Sequence, residues 1–240
     1  WGGHRSTMRH NANLVLRGGR CTLVPYRREH VPRYHEWMKD PAIQAATASE
    51  PLSLEKEHEM CDEWASDEAK CTFILCDNTL PPGVDAMCGD VNLFWNDHDD
   101  PRHTAEIEIM VAEEGSRRKG IAVEAIEVFI AYAHMALGVN TFRAKIGFDN
   151  APSLALFRDK MGFEEKSRSD VFREVTLEKR STIALFIQDE DGDGEGEWVG
   201  TGEMGDAWRL ALPRWGIEIL EYDGGAYAPP TGPNREVAMS

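Results

Sequence analysis

Apolar and polar positions along this chain change period several times, and each change marks an element. Cys21-Thr-Leu-Val-Pro-Tyr26 is short, β-rich and follows Gly18-Gly19, which predicts a strand. From Arg28 to Asp40 the period becomes helical, with Val31, Tyr34 and Met38 at i, i+3 and i+7, and Pro41 predicts the stop. Thr47–Ser53 reads as loop, and Ser53 is placed to cap a second helix over Leu54 to Ala69. Lys70–Cys76 and Met87–Trp95 are predicted strands, separated by a turn cluster of Asn78, Pro81, Pro82 and Gly83. Asn96–Pro101 is polar and leads into a further strand, Ala105–Ala112. It lacks the glycine and distal glutamate of a calcium loop, so it reads as a solvated turn and not as a metal site.

The next apolar stripe, Ile121, Ala125, Val128, Phe129, Tyr132 and Met135, predicts a helix from Gly120 to Leu137 that Gly138 ends. Thr141–Ile146 alternates as a strand. Asn150 and Pro152 then mark a helix start, with Leu154, Phe157 and Met161 as its apolar face and Gly162 at its end. Phe163–Arg168 and Val171–Glu178 pair as a last hairpin. The pattern is α+β: a mixed sheet of about seven strands, flanked by about four helices. Residues 1–10 read as a flexible leader and 11–180 as one domain. Residues 181–240 read as a partly disordered acidic extension with the low-complexity run Asp189–Glu197, a short helix near Ala207–Leu212 or docking of Trp198–Tyr227, and a flexible Pro229–Pro233.

Charge and cysteine content narrow the function classes. The formal net charge is −16, of which residues 181–240 hold −9 and residues 1–180 only −7. An acidic chain argues against nucleic acid and anionic membranes as partners. It fits a basic acceptor such as an amine, or solubility alone. No run approaches the ~20 apolar residues of a membrane span. Five cysteines without a C-x-x-C pair are expected as free thiols in a reducing, cytoplasmic compartment, with Cys71 and Cys76 as small buried apolar groups. Eight scattered histidines give no ligand pair, so no metal is expected.

The chemistry concentrates in Ala105–Ala125. A strand carries Glu106 and Glu108 at period 2, so both face one way. A basic turn, Arg117-Arg118-Lys119-Gly120-Ile121-Ala122, then opens a helix. A helix start presents unpaired N–H groups and the positive end of a macrodipole, a site for phosphate or diphosphate. Gly120 and Ala122 leave those amides open to a ligand.

The element order and two motifs resemble the GCN5-related N-acetyltransferase (GNAT) superfamily. Arg117-x-x-Gly120-x-Ala122 is similar to its diphosphate loop, and Asn150-x-x-Ser153-x-x-x-Phe157 through Gly162-Phe163 to its second block. Longer stretches, among them His30–Lys39, Thr47–Leu52 and Gly89–Phe94, resemble the eukaryotic N-acetyltransferase 9-like proteins. The resemblance spans Asn11 to Leu177 and implies a GNAT fold, acetyl-CoA as donor and an amine acceptor, above all a protein or peptide N-terminus. For the eukaryotic branch it implies tubulin or microtubules as partner. It carries over backbone contacts from Arg118, Lys119, Gly120, Ile121 and Ala122 to the diphosphate, beside Arg117. Met110 and Val111 would pair with the pantetheine arm, and Asn150 and Ser153 would lie near the thiol end. A backbone N–H near Val111 would serve the oxyanion.

Acetyl transfer to an amine needs a base, and a proton source for the leaving thiolate. Glu106 is the first candidate for the base and Glu108 the second; the competing role for each is a solvent-facing or ion-paired strand carboxylate. Glu50 either lines the acceptor groove or caps its loop. Asn150 is at once a helix cap and a cofactor contact. The family's frequent acid, a tyrosine, is Phe157 here, which has no proton to give. Tyr132 or water would have to substitute, or the thiolate leaves unaided. Two other functions stay open at this point: a catalytically weak binding protein with a cytoskeletal or other partner, and a small-amine acetyltransferase.

Overall fold

The computed structural model describes residues 11–181, 185–187, 197–199 and 212–222. The expected leader, the acidic run and most of the extension, including Ala207–Ala211 and Pro229–Pro233, lie outside those residues. Strands β1 (Leu14–Arg17) and β2 (Cys21–Pro25) precede helices α1 (Val31–Trp37), α2 (Pro41–Thr47) and α3 (Leu54–Ser66). Strands β3 (Lys70–Asp77), β4 (Met87–Phe94) and β5 (Thr104–Val111) follow, then helix α4 (Ile121–Leu137) and β6 (Thr141–Gly147). Helix α5 begins as Ala151–Leu154 and continues as a π-helical segment, Ala155–Lys160. The hairpin β7 (Glu164–Ser169) and β8 (Glu174–Arg180), a small β9 (Leu185–Ile187) and β10 (Glu197–Val199) pair, and β11 (Glu218–Glu221) complete the described chain.

Nine strands form one sheet in the order β11-β1-β2-β3-β4-β5-β6-β8-β7. Every pairing is antiparallel except β5 with β6. That α+β sheet is the expected class with two strands more. β1 was not anticipated, because Leu14, Val15 and Leu16 are all buried and so show no alternation. The signal was Gly18-Gly19 between two apolar runs, a hairpin mark. β11 pairs with β1 from the far end of the chain. α2 was not anticipated and fills the stretch between the expected stop at Pro41 and the expected loop from Thr47: Asp40 caps it by accepting the amide of Ala42, and Pro41 is its first residue. Pro41 thus begins a helix and does not end one, since α1 already stops at Trp37. Ser53 caps α3 as expected, accepting from the Lys56 amide.

Strand alternation sends residues to two cores. Phe73, Leu75, Val91, Leu93 and Ile107 pack on one face against Ile126, Phe129 and Tyr132 of α4. Ile74, Cys76, Met87 and Met110 pack on the other, against Val31, Tyr34, Trp37, Ile43 and Cys61 of the first three helices. All five cysteines are buried and free. Asn96–Pro101 is a turn, in which Asp97 accepts the amides of Asp99 and Asp100 and pairs with Arg143.

Gly89 fixes how β4 meets β5. A Cβ there would stand 1.9 Å from the Met110 carbonyl oxygen. Only glycine lets that carbonyl close in. Gly89→Ala is expected to lower stability by about 1–3 kcal/mol, the usual cost of overpacking a tight site, read from urea unfolding; an unchanged midpoint would show that the strands move apart at no cost.

Candidate active site

Register across β3, β4 and β5 builds three rows on the face away from α4. Lys70, Phe94 and Glu106 form the lowest, Thr72, Asn92 and Glu108 the next, and Ile74, Asp90 and Met110 the third. β5 pairs with β6 only over Thr104–Glu106, opposite Thr141–Arg143. Glu106 therefore lies at the last paired position, and Glu108 is the first residue on this face past the point where the strands part.

The two glutamates differ in what they touch. Glu106 is buried, and its Oε2 accepts from Lys145 Nζ at 2.7 Å and from Asn96 Nδ2 at 2.8 Å. Glu108 is exposed and makes no hydrogen bond or ion pair among the described residues. Although open to solvent on one side, its carboxyl is crowded by protein on the other. That desolvation, with like charge from Glu106 and Asp90, pushes its pKa up to about 7, against partial relief from Lys70 and Lys145. Behind it the Thr72 hydroxyl donates to Asn92 Oδ1, while Asn92 Nδ2 and the Tyr34 hydroxyl donate to Asp90 Oδ2 at 2.8 and 3.3 Å. Burial raises the Asp90 carboxyl and those donors oppose the rise. The Lys70 ammonium lies over the Trp64 ring, with its pKa lowered by burial to about 8.

Beyond β5 the chain turns into the start of α4. Arg118 and Gly120 both have positive φ, 59° and 82°. Gly120 sits at the helix N-cap, so no side chain caps the first amides. Ile121 and Ala122 open the helix there. The loop's side chains mostly hold the loop. Arg117 donates from Nε to the Val111 carbonyl and from Nη2 to the Ala112 carbonyl, both at 2.9 Å. Lys119 Nζ reaches buried Asp77 at 3.1 Å, and Ser116 donates to the same oxygen at 2.8 Å. Burial opposes ionisation of Asp77, but these donors and Thr79 outweigh it and hold the pKa at about 2. The Met110 carbonyl is turned toward Gly89 in β4 and the Ala112 amide bonds the Cys88 carbonyl. By alternation the Val111 amide faces the gap that β6 leaves.

Sequence reasoning missed Glu124, which ties this loop to the β1–β2 turn. Its carboxylate accepts the amides of Gly19, Arg20 and Cys21 at 3.1, 2.6 and 2.8 Å. A glutamate in the first turn of a helix, facing a distant Gly-Gly hairpin, was the only available signal. Asn150 caps α5 by accepting the Ser153 amide at 3.2 Å, beyond the end of β6. Phe157 packs edge-to-face on Phe163, ring centroids 5.1 Å apart, as a core residue. Tyr132 does not reach this site: it is fully buried on the α4 side of the sheet against Phe73 and Phe129. Glu50 is exposed and caps nothing among the described residues. His30 is buried, bonding the Arg27 amide through Nδ1, and is a packing residue. Among the described residues no group of three or more His, Cys, Asp or Glu gathers to hold a metal, and no helix is long and apolar enough to cross a membrane.

A family model described as an acetyltransferase (GNAT) domain matches residues 20–164. The chain belongs to the GNAT acetyltransferase family. It is an acetyl-transferring enzyme of that type. An N-acetyltransferase 9-like protein of Nematostella vectensis is 50% identical over 175 residues, 71% of this chain and 87% of the relative. The alpha/beta-tubulin-N-acetyltransferase 9 of Mus musculus is 47% identical, over 71% of this chain and 72% of the relative. Among solved structures, a spermidine N-acetyltransferase of Vibrio cholerae in complex with CoA and spermine superposes with a TM-score of 0.55 at 18% identity, covering 71% of this chain and 96% of that one. That likeness establishes the GNAT fold.

The raised Glu108 carboxyl links the site to stability. Its folded pKa, about 7, lies above the ordinary 4.5, so folding favours the protonated form. The contribution is full below pH ~4.5 and is lost as pH rises through ~7. Glu108→Gln is expected to gain thermal stability relative to the wild type between pH 5 and pH 8, measured by paired melts. A difference independent of pH would remove the raised carboxyl.

Proposed function

We propose that this enzyme transfers the acetyl group of acetyl-CoA to the α-amine of a protein or peptide, with Glu108 as the base. The observation that carries the reading is an unpaired carboxylate standing where β5 leaves β6, one short loop before a helix start suited to a diphosphate. The cradle fits the cofactor: Gly120 has the positive φ and the missing side chain that bring amides close to an anion. Bound acetyl-CoA supplies an activated acetyl thioester. The amides of Arg118, Lys119, Gly120, Ile121 and Ala122 hold its diphosphate, and Val111, more than Met110, serves the pantetheine arm. Asn150 and Ser153 border the thiol end. The Val111 amide is the donor for the oxyanion that develops at the acetyl carbonyl.

Glu108 takes the proton that the incoming ammonium must lose before its lone pair can attack. A carboxylate with a pKa near neutrality is suited to this, since about half of it is ionised near pH 7 and it still binds a proton usefully. Glu106, the first candidate from sequence, is held by Lys145 and Asn96 and acts as a positioning residue. Phe157 gives no proton, so the thiolate leaves with water as its acid. The mouse relative's name supports testing tubulin first among the protein N-termini, and the net negative charge of the chain suits a cationic acceptor.

A turnover screen with acetyl-CoA over peptides of varied N-termini, lysine peptides and polyamines tests this. N-terminal peptides, the tubulin N-termini among them, are expected to turn over. Glu108→Gln is expected to cut kcat by about 10²–10⁴-fold with cofactor affinity unchanged, and Gly120→Glu to abolish cofactor binding in calorimetry. Turnover confined to polyamines would overturn the acceptor, and an unaltered rate in Glu108→Gln would remove the base.

A further inference from the structure

We propose that Arg20, on the turn between β1 and β2, binds the cofactor's diphosphate as a cation supplied from outside the loop that begins α4. The inference rests on the reading of that loop as an acetyl-CoA site. Four cations surround the start of α4: Arg20, Arg117, Arg118 and Lys119. Arg117 is bonded to the carbonyls of Val111 and Ala112, and Lys119 is matched by the carboxylate of Asp77. The loop's most obvious charges are thus committed to its own shape. Arg118 is exposed and has a positive φ. Arg118 and Arg20 are the two that remain, and of these Arg20, from the β1–β2 turn, is the one whose guanidinium is placed against the loop backbone.

Its placement is specific. Arg20 Nη1 donates to the Lys119 carbonyl at 3.1 Å. Its Cδ, Nε and Cζ lie 3.3, 3.4 and 3.6 Å from where a Cβ on Gly120 would stand. The guanidinium therefore covers the bare α-carbon at the centre of the cradle. The backbone beneath it is fixed, because Glu124 accepts the amides of Gly19, Arg20 and Cys21. A guanidinium has five N–H donors in a planar fork that matches phosphate oxygens, so one bond to a carbonyl leaves donors for an anion. Glu124 stands near the same helix start, yet three amides already satisfy its charge. Because Arg20 lies over Gly120, within the loop read as the diphosphate cradle, the diphosphate and not the phosphate on the ribose is the group it would reach.

Calorimetry on the full chain with acetyl-CoA and with 3′-dephospho-acetyl-CoA tests this, using wild type, Arg20→Ala and Arg20→Lys. Arg20→Ala is expected to weaken both ligands by about tenfold or more, as loss of a charge-assisted contact does. Arg20→Lys is expected to recover part of that, and the melting temperature without ligand is expected to stay near the wild-type value. Affinity of Arg20→Ala within about twofold of wild type overturns the inference. So does a loss confined to acetyl-CoA, which moves Arg20 to the ribose phosphate, or a fall in apo stability that Arg20→Lys fails to restore. A wild type that binds neither ligand overturns the acetyl-CoA reading itself.

Discussion

The separation of β5 from β6 is the constraint on which the site depends. Parallel strands that stay paired satisfy each other's backbone along their whole length. Here the ladder ends at Glu106 and Arg143, and the upper half of β5 keeps only β4 as a partner. Backbone groups left open in this way need another partner, and an extended amide-bearing ligand is one that fits. The same divergence separates the two glutamates. Below the fork Glu106 meets a cation from β6; above it Glu108 has no counterpart. Two residues of identical chemistry, one strand period apart, acquire different surroundings from where a ladder stops.

The α4 loop is built by a division of labour between charges that shape it and charges left for a ligand. Asp77, Val111 and Ala112 absorb two of the three cations of the local motif, Lys119 and Arg117. Glu124 reaches back to a hairpin more than a hundred residues earlier and fixes it through three amides. Anchoring of this kind raises the cost of loop movement. It also means that a motif's charged letters need not be its ligand contacts, whereas Gly120, with no side chain, shapes the cradle directly.

Much of this was legible in the sequence because periodicity survives wherever one face is buried and the other wet. The α4 stripe, the β5 alternation and the Asn150 cap follow from local rules and match the structure within a residue or two. What escaped was non-local or doubly buried. β1 is apolar on both faces, so its pattern carried no period. β11 needs a partner from the other end of the chain. The different surroundings of the two glutamates also did not emerge, since nothing near Glu106 in sequence announces Lys145. Tyr132 illustrates the same limit: a helix stripe shows that a tyrosine is buried, but not on which side of a sheet.

β11 has a consequence for association. An edge strand offers a row of unpaired amides and carbonyls to any extended chain that meets it. In this fold one such row, on β1, is occupied by Glu218–Glu221, and Tyr222 continues the contact by bonding the Asn13 carbonyl and the Glu29 carboxylate. The two glutamates at the ends of β11 place negative charge along the new outer edge, where like charge on a second copy would repel. The segment beyond the GNAT domain match thus turns an adhesive margin into a charged one. It protects a strand whose turn carries Arg20, so the hairpin shielded from pairing on one side is the one pinned to the start of α4 on the other.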